Sequence, residues 1–97
     1  MFVVLLRFSS NRQLAGQHMD GHNAWVQRGL DEGVFLLVGG LGQGMGGGIL
    51  ANNTSLEALQ QRIADDPFVA ENVVTAEILE LTPNQTDARL AFLLDRA

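Results

Sequence analysis

The sequence predicts a small α+β domain in which four strands and two helices alternate as βαββαβ. Three observations carry this expectation: a short β-branched and aromatic run at the start, two amphipathic segments with apolar residues at helical spacing, and two further apolar runs separated by glycines. With 97 residues, 46% of them apolar and 18% charged, the chain can build one hydrophobic core but not two.

Phe2 to Phe8 reads as the first strand and stops at Ser9-Ser10-Asn11, a polar loop. Its even residues point one way, while Val3 and Leu5 point the other, so both faces are apolar and both need cover. From about Gln17 to Glu32, His18, His22, Trp25, Val26, Gly29 and Leu30 follow the spacing of one helix face, and Gly33 suits the left-handed turn that ends a helix. Val34 to Val38 is the second strand and Gly48 to Ala51 a weaker third, joined by a glycine-rich run that reads as a mobile hairpin loop. Thr54-Ser55-Leu56-Glu57 has the pattern of a capping box, with Thr54 as N-cap, ahead of Leu56, Leu59 and Ile63. That helix must finish at Asp66, because Pro67 disfavours helical backbone in the residue before it. Val73 to Leu81 completes the set as a fourth strand.

A domain of this size and order most often forms a ferredoxin-like split βαβ sandwich, both helices on one face of the sheet. The other face stays apolar and bare, which predicts a homodimer packed sheet against sheet. The division is residues 1–83 for this domain and 84–97 for a helical tail, capped by Thr86 with Leu90, Leu93 and Leu94 on one side, docking on its own subunit or on the partner.

Six arginines, scattered from Arg7 to Arg96, and a net charge of -5 argue against nucleic-acid binding. No segment approaches the roughly 20 apolar residues of a membrane helix. The apolar start lacks a basic leader, which predicts a cytoplasmic protein. With no cysteine, a disulfide, a thiolate metal site and a thiol nucleophile are all excluded.

His22 shares the apolar face of the first helix with Trp25 and Val26, so it should point inward as either a satisfied core residue or an acid–base group. Asp66 is out of place by local rules: with Asp65 it sets two carboxylates against the negative end of the second helix. It either caps the turn before Pro67 or serves a site. In a split βαβ fold the two helices lie side by side, so His22 could meet it.

His22, Gly33, Val38-Gly39-Gly40-Leu41 and Asp65-Asp66-Pro67-Phe68-Val69-Ala70 together resemble the YCII-related, or YciI-like, family over about residues 1 to 83. The Asp-Pro-Phe turn is the most specific element. The resemblance implies a dimeric α/β barrel with a small pocket at a histidine–aspartate dyad, here His22 and Asp66, walled by Trp25, Gly39, Gly40, Pro67 and Phe68. One branch of that family eliminates chloride from a chlorinated hydroxyhydroquinone, its dyad proposed as acid and base. Here Gly39-Gly40 replaces the family's glycine-proline, so substrate identity does not transfer. A carboxylate that fixes the histidine tautomer leaves the other ring nitrogen as a base, and no nucleophile accompanies the pair, which favours elimination or isomerisation over acyl transfer. The alternatives are a non-catalytic metabolite-binding dimer and a cofactor-free monooxygenase.

Two further patterns are set aside. Gly42-Gln43-Gly44-Met45-Gly46-Gly47 satisfies GxGxxG, but a dinucleotide loop opens a helix and here a strand follows. His18 and His22 are four apart, yet Met19 stands where a zinc-protease motif has glutamate, and no third ligand presents itself. Neither cofactor nor metal is expected.

Overall fold

The first strand, β1 (Phe2–Phe8), is the axis of the fold because both of its edges are paired. In the computed structural model, which describes residues 1–94, β2 (Phe35–Gly40), β3 (Gly46–Ala51) and β4 (Val74–Glu80) complete an antiparallel sheet of order β2-β3-β1-β4. This is the ferredoxin-like order, in which β3 is inserted between the two strands that the first helix connects. Beyond β4, the Leu81 amide donates to the Met1 carbonyl and the Met1 amino group donates to the Leu81 carbonyl, extending the pairing past its last strand residue.

Helices α1 (Ala15–Asp31) and α2 (Leu56–Ala64) cover one face of the sheet. There Trp25, Leu59, Ile63 and Phe68 pack on Phe2, Val4, Leu6, Phe35, Ile49 and Ala51, all buried. The even residues of β1 supply this face, as period-two alternation requires. Close approach of α1 to β2 depends on Gly29: a Cβ at that position would lie 2.1 Å from the Phe35 ring. Gly33, with φ +74, turns the chain from α1 into β2.

Several boundaries differ from the sequence reading. A 3-10 turn, Arg12–Leu14, precedes α1, which begins earlier than its apolar spacing indicates. The cap of α2 is Ser55, whose Oγ accepts a 3.1 Å hydrogen bond from the Ala58 amide, so the capping pattern acts one residue later than Thr54. Helix α2 stops at Ala64. Asp66 instead caps a four-residue helix, α3 (Pro67–Ala70), with Pro67 in the first turn, where its missing N–H leaves no bond unmade.

The glycine-rich run is mostly sheet. Gly39 pairs with Gly48 and Gly40 with Gly47, and the reversal is confined to residues 41–45, containing a 3-10 turn at Gly42–Gly44. Glycine reads as loop because it lacks β propensity, but here flanking ladder bonds impose the strand. One position is obligatory: Gly46 has φ +139, and a Cβ there would meet the Leu6 carbonyl oxygen at 1.9 Å. A long mobile hairpin is thereby replaced by a short turn.

The opposite face of the sheet carries Val3, Leu5 and Leu50, half-buried, with Leu37 and Leu79 more exposed at 55% and 45%. At one end the face turns polar, where Arg7 Nη1 and Glu77 Oε1 are 2.7 Å apart. After β4 the tail runs without regular structure to a 3-10 helix at Ala88–Leu94, rather than an α-helix capped by Thr86. Its first turn is held by Asp87, whose Oδ1 accepts from the Arg89 side chain and amide; both bonds hold that carboxyl below its usual range. Leu90 and Phe92 are largely exposed, Leu93 and Leu94 half-buried, and the last three residues of the expected tail lie outside the described residues.

Candidate functional site

Proximity at the site begins with a glycine. Gly21 on α1 faces the turn after α2: a Cβ there would stand 3.1 Å from Pro67 Cγ, so a larger residue would push the helix off the turn. One residue on, His22 reaches Asp66, with Nδ1 2.8 Å from Oδ1. The Asp66 side chain is fully buried and that of His22 is 18% exposed. Asp66 Oδ1 also accepts a 3.0 Å hydrogen bond from the Phe68 amide, the capping bond of α3. Both expectations for Asp66, turn cap and partner of His22, thus fall on a single oxygen.

That sharing bears on the tautomer. A carboxylate oxygen accepting from the Phe68 N–H also accepts from the ring through Nδ1–H, and in the neutral ring that places the lone pair on Nε2. The imidazole lies flat on Phe68, centroids 4.0 Å apart and planes 4° from parallel, with Trp25 tilted against it at 5.8 Å. Fixed by one hydrogen bond and one stack, the ring borders a cavity of about 200 Å³. The other oxygen, Asp66 Oδ2, is buried without a hydrogen-bond partner among the described residues.

Met19, His22, Asn23 and Val26, at helical spacing on α1, form one side of the cavity. Leu6, Phe8, Val38 and Ile49 from the sheet face them, with Phe68 and Val74 alongside. The space exists because the sheet lacks side chains here. In β3 the inward positions alternate as Gly47, Ile49 and Ala51, and Gly47 pairs with Leu6 on one side and Gly40 on the other. Position 47 thus lines the cavity without contributing a side chain. The walls are therefore apolar, and their polar side chains are His22 and Asn23.

The other residues named from the sequence are distributed differently. Gly39 and Phe68 line the cavity. Pro67 packs behind it on Gly21, and Gly40 borders a groove on the open face with Val3, Leu5 and Leu37. Trp25 belongs to the core: its Nε1 donates to the Arg62 carbonyl at 2.9 Å and its ring meets Phe35 edge-on. It supports the His22 ring from behind rather than walling the cavity. Among the described residues no group of three or more histidine, aspartate or glutamate side chains is placed to hold a metal ion. Met19, Asn23, Gly21 and Gly47 were not assigned to the site by sequence reasoning. The spacing of Met19, Asn23 and Val26 around His22 was a signal for the first two, whereas the glycines are recognisable only once their neighbours are known.

The arrangement is that of a ferredoxin-like α+β protein with a histidine–carboxylate pair at the edge of a small apolar cavity. The chain matches no family model and no curated protein sequence. In three dimensions it is similar to a 5-chloro-2-hydroxyhydroquinone dehydrochlorinase, TftG, from Burkholderia phenoliruptrix AC1100, solved in complex with 2,5-dihydroxybenzoquinone. The likeness has a TM-score of 0.65 at 15% identity and covers 84% of this chain and 93% of the other. It establishes a shared fold.

Proposed function

We propose that this protein is a YciI-like, homodimeric acid–base enzyme acting on a small, flat, ring-sized molecule by elimination or isomerisation. The observation that carries the reading is the 2.8 Å bond between His22 Nδ1 and an Asp66 oxygen already committed to the Phe68 amide. It directs the free lone pair of His22 to Nε2. In the reaction, Nε2 takes a proton from a hydroxyl or an acidic carbon of the substrate, and the electron pair left behind expels a leaving group or shifts a double bond. Asp66 stabilises the imidazolium that results, and the proton then passes to water or back to the product. The apolar walls and the side-chain-free patch at Gly47 suit a planar ring, and the fold neighbour's named substrate and ligand are of that kind.

The test is chloride release from 5-chloro-2-hydroxyhydroquinone together with direct binding of 2,5-dihydroxybenzoquinone. His22→Gln should keep binding within a few-fold and lower turnover by about 100- to 10,000-fold, the usual contribution of a general base. Asp66→Asn should lower kcat more than it raises KM. Binding without turnover in the unaltered protein would favour a metabolite-binding role over catalysis.

Dimerisation through the open sheet face is part of the same reading. It is supported by the apolar residues of that face, Val3, Leu5 and Leu50 half-buried and Leu37 and Leu79 exposed, which a partner sheet would cover.

A further inference from the structure

The five described arginines divide sharply. Arg7, Arg62 and Arg89 each form an ion pair, with Glu77, Glu32 and Asp87, while Arg12 and Arg28 have no carboxylate partner among the described residues. In a chain with eleven acidic residues and six arginines, an unpaired guanidinium needs a reason. Arg12 packs on Phe8, one of the walls of the candidate cavity. Its guanidinium carbon lies 4.6 Å from the centroid of the Phe8 ring, and Phe8 is a cavity wall. Arg12 Nη2 also lies 3.3 Å from where a Cβ of Gly44 would be, so the guanidinium sits against the β2–β3 turn. The Phe8 amide donates to the Met45 carbonyl, which ties this turn to the end of β1.

We infer that the substrate of this site is an anion, a planar ring bearing an ionised hydroxyl or carboxylate, and that Arg12 is the residue that selects it. This rests on the acid–base reading of the cavity and adds its charge preference. The cavity is lined by no carboxylate, and Asp66 is buried behind the His22 ring. A guanidinium stacked by one face on an aromatic ring keeps its N–H edges free for a bidentate bond to an oxyanion. Arg12 thereby sets a positive charge beside the Phe8 wall of the cavity in a protein of net charge -5, where it would draw an anion toward the site. Holding the oxyanion at the Phe8 end orients the ring along the cavity, between Arg12 and the proton-accepting nitrogen of His22.

The experiment uses two ring-sized probes in calorimetric titration: 2,5-dihydroxybenzoquinone, ionised at neutral pH, and its uncharged 2,5-dimethoxy analogue. The full chain should bind the ionised probe more tightly, by about tenfold or more, with affinity falling as salt rises. Arg12→Gln should remove that preference, leaving the neutral probe within twofold, and Arg12→Lys should restore part of it. Equal loss of both probes in Arg12→Gln, or no loss of either, overturns the inference. His22→Trp separates the two levels: filling the cavity should abolish both probes, and if neither probe responds to it the site reading itself fails. If Arg12→Gln spares the ionised probe while His22→Trp blocks it, only the charge selection fails.

Discussion

Asp66 holds two jobs on one oxygen, while its other oxygen is buried with no hydrogen-bond partner among the described residues. Replacing it with alanine removes the α3 cap and the partner of His22 together. The expected cost is about 1–3 kcal/mol, because the Phe68 amide and the His22 N–H lose their acceptor in a buried place. Asp66→Asn keeps an acceptor and should lose much less stability, so urea denaturation of the two variants separates scaffold from chemistry. Gly21→Leu should act differently, by pressing on Pro67 and moving His22 away from Asp66. It should reduce turnover more than melting temperature, and an unchanged kcat would show that the close approach is incidental. Much of this pairing was legible from residues alone. Helical spacing turned His22 inward, and the Asp-Pro break located the end of α2. Resemblance then joined them. What the sequence did not disclose was α3: four residues leave no periodicity, so Asp66 read as a helix end when it is a helix beginning.

Among the elements, β2 and β3 show how tertiary context overrides propensity. The run from Gly39 to Gly48 has the composition of a loop, yet its two ends are strand: Gly39 and Gly40 pair with Gly48 and Gly47, and Gly46 to Gly48 pair with β1. Side-chain alternation, the usual signal of a strand, is silent where there are no side chains. Helix α1 presents the opposite case, since its register was readable and its tight seat on Phe35 was not. Gly29→Ala should therefore destabilise the fold by about 1–3 kcal/mol, as overpacking of a dense core does, despite alanine's better helix propensity. A thermal melt decides this, and a stabilised variant would mean that α1 can slide on the sheet at little cost.

For the whole molecule, the bipartite sheet governs behaviour. One face is closed by α1 and α2, and the other presents leucine and valine to its surroundings. Leu37→Asp with Leu50→Asp should yield a smaller species in sedimentation velocity than the unaltered chain, with secondary structure retained. A monomer in both would remove the dimer from the proposed function. The βαββαβ order and the double-faced apolarity of β1 were visible in sequence, because period two is explicit there. The tail was not: Leu90, Leu93 and Leu94 suggested a helix face, but a segment this short has no stability of its own, and its 3-10 turn leaves Leu90 and Phe92 exposed.

Position 47 carries a consequence for how such a protein changes over generations. The cavity is shaped by what β3 omits, and the His22–Asp66 pair belongs to α1 and the turn after α2, so the cavity's size and the pair beside it are encoded in separate stretches of the gene. A single nucleotide change can convert a glycine codon to alanine or valine. Gly47→Ala would trim the chamber by one methyl group, with 3.4 Å to the Gly39 carbonyl oxygen, and Gly47→Val by three carbons, neither altering His22 or Asp66. The size and shape of what the cavity admits could then drift in small steps while the His22–Asp66 pair stays intact.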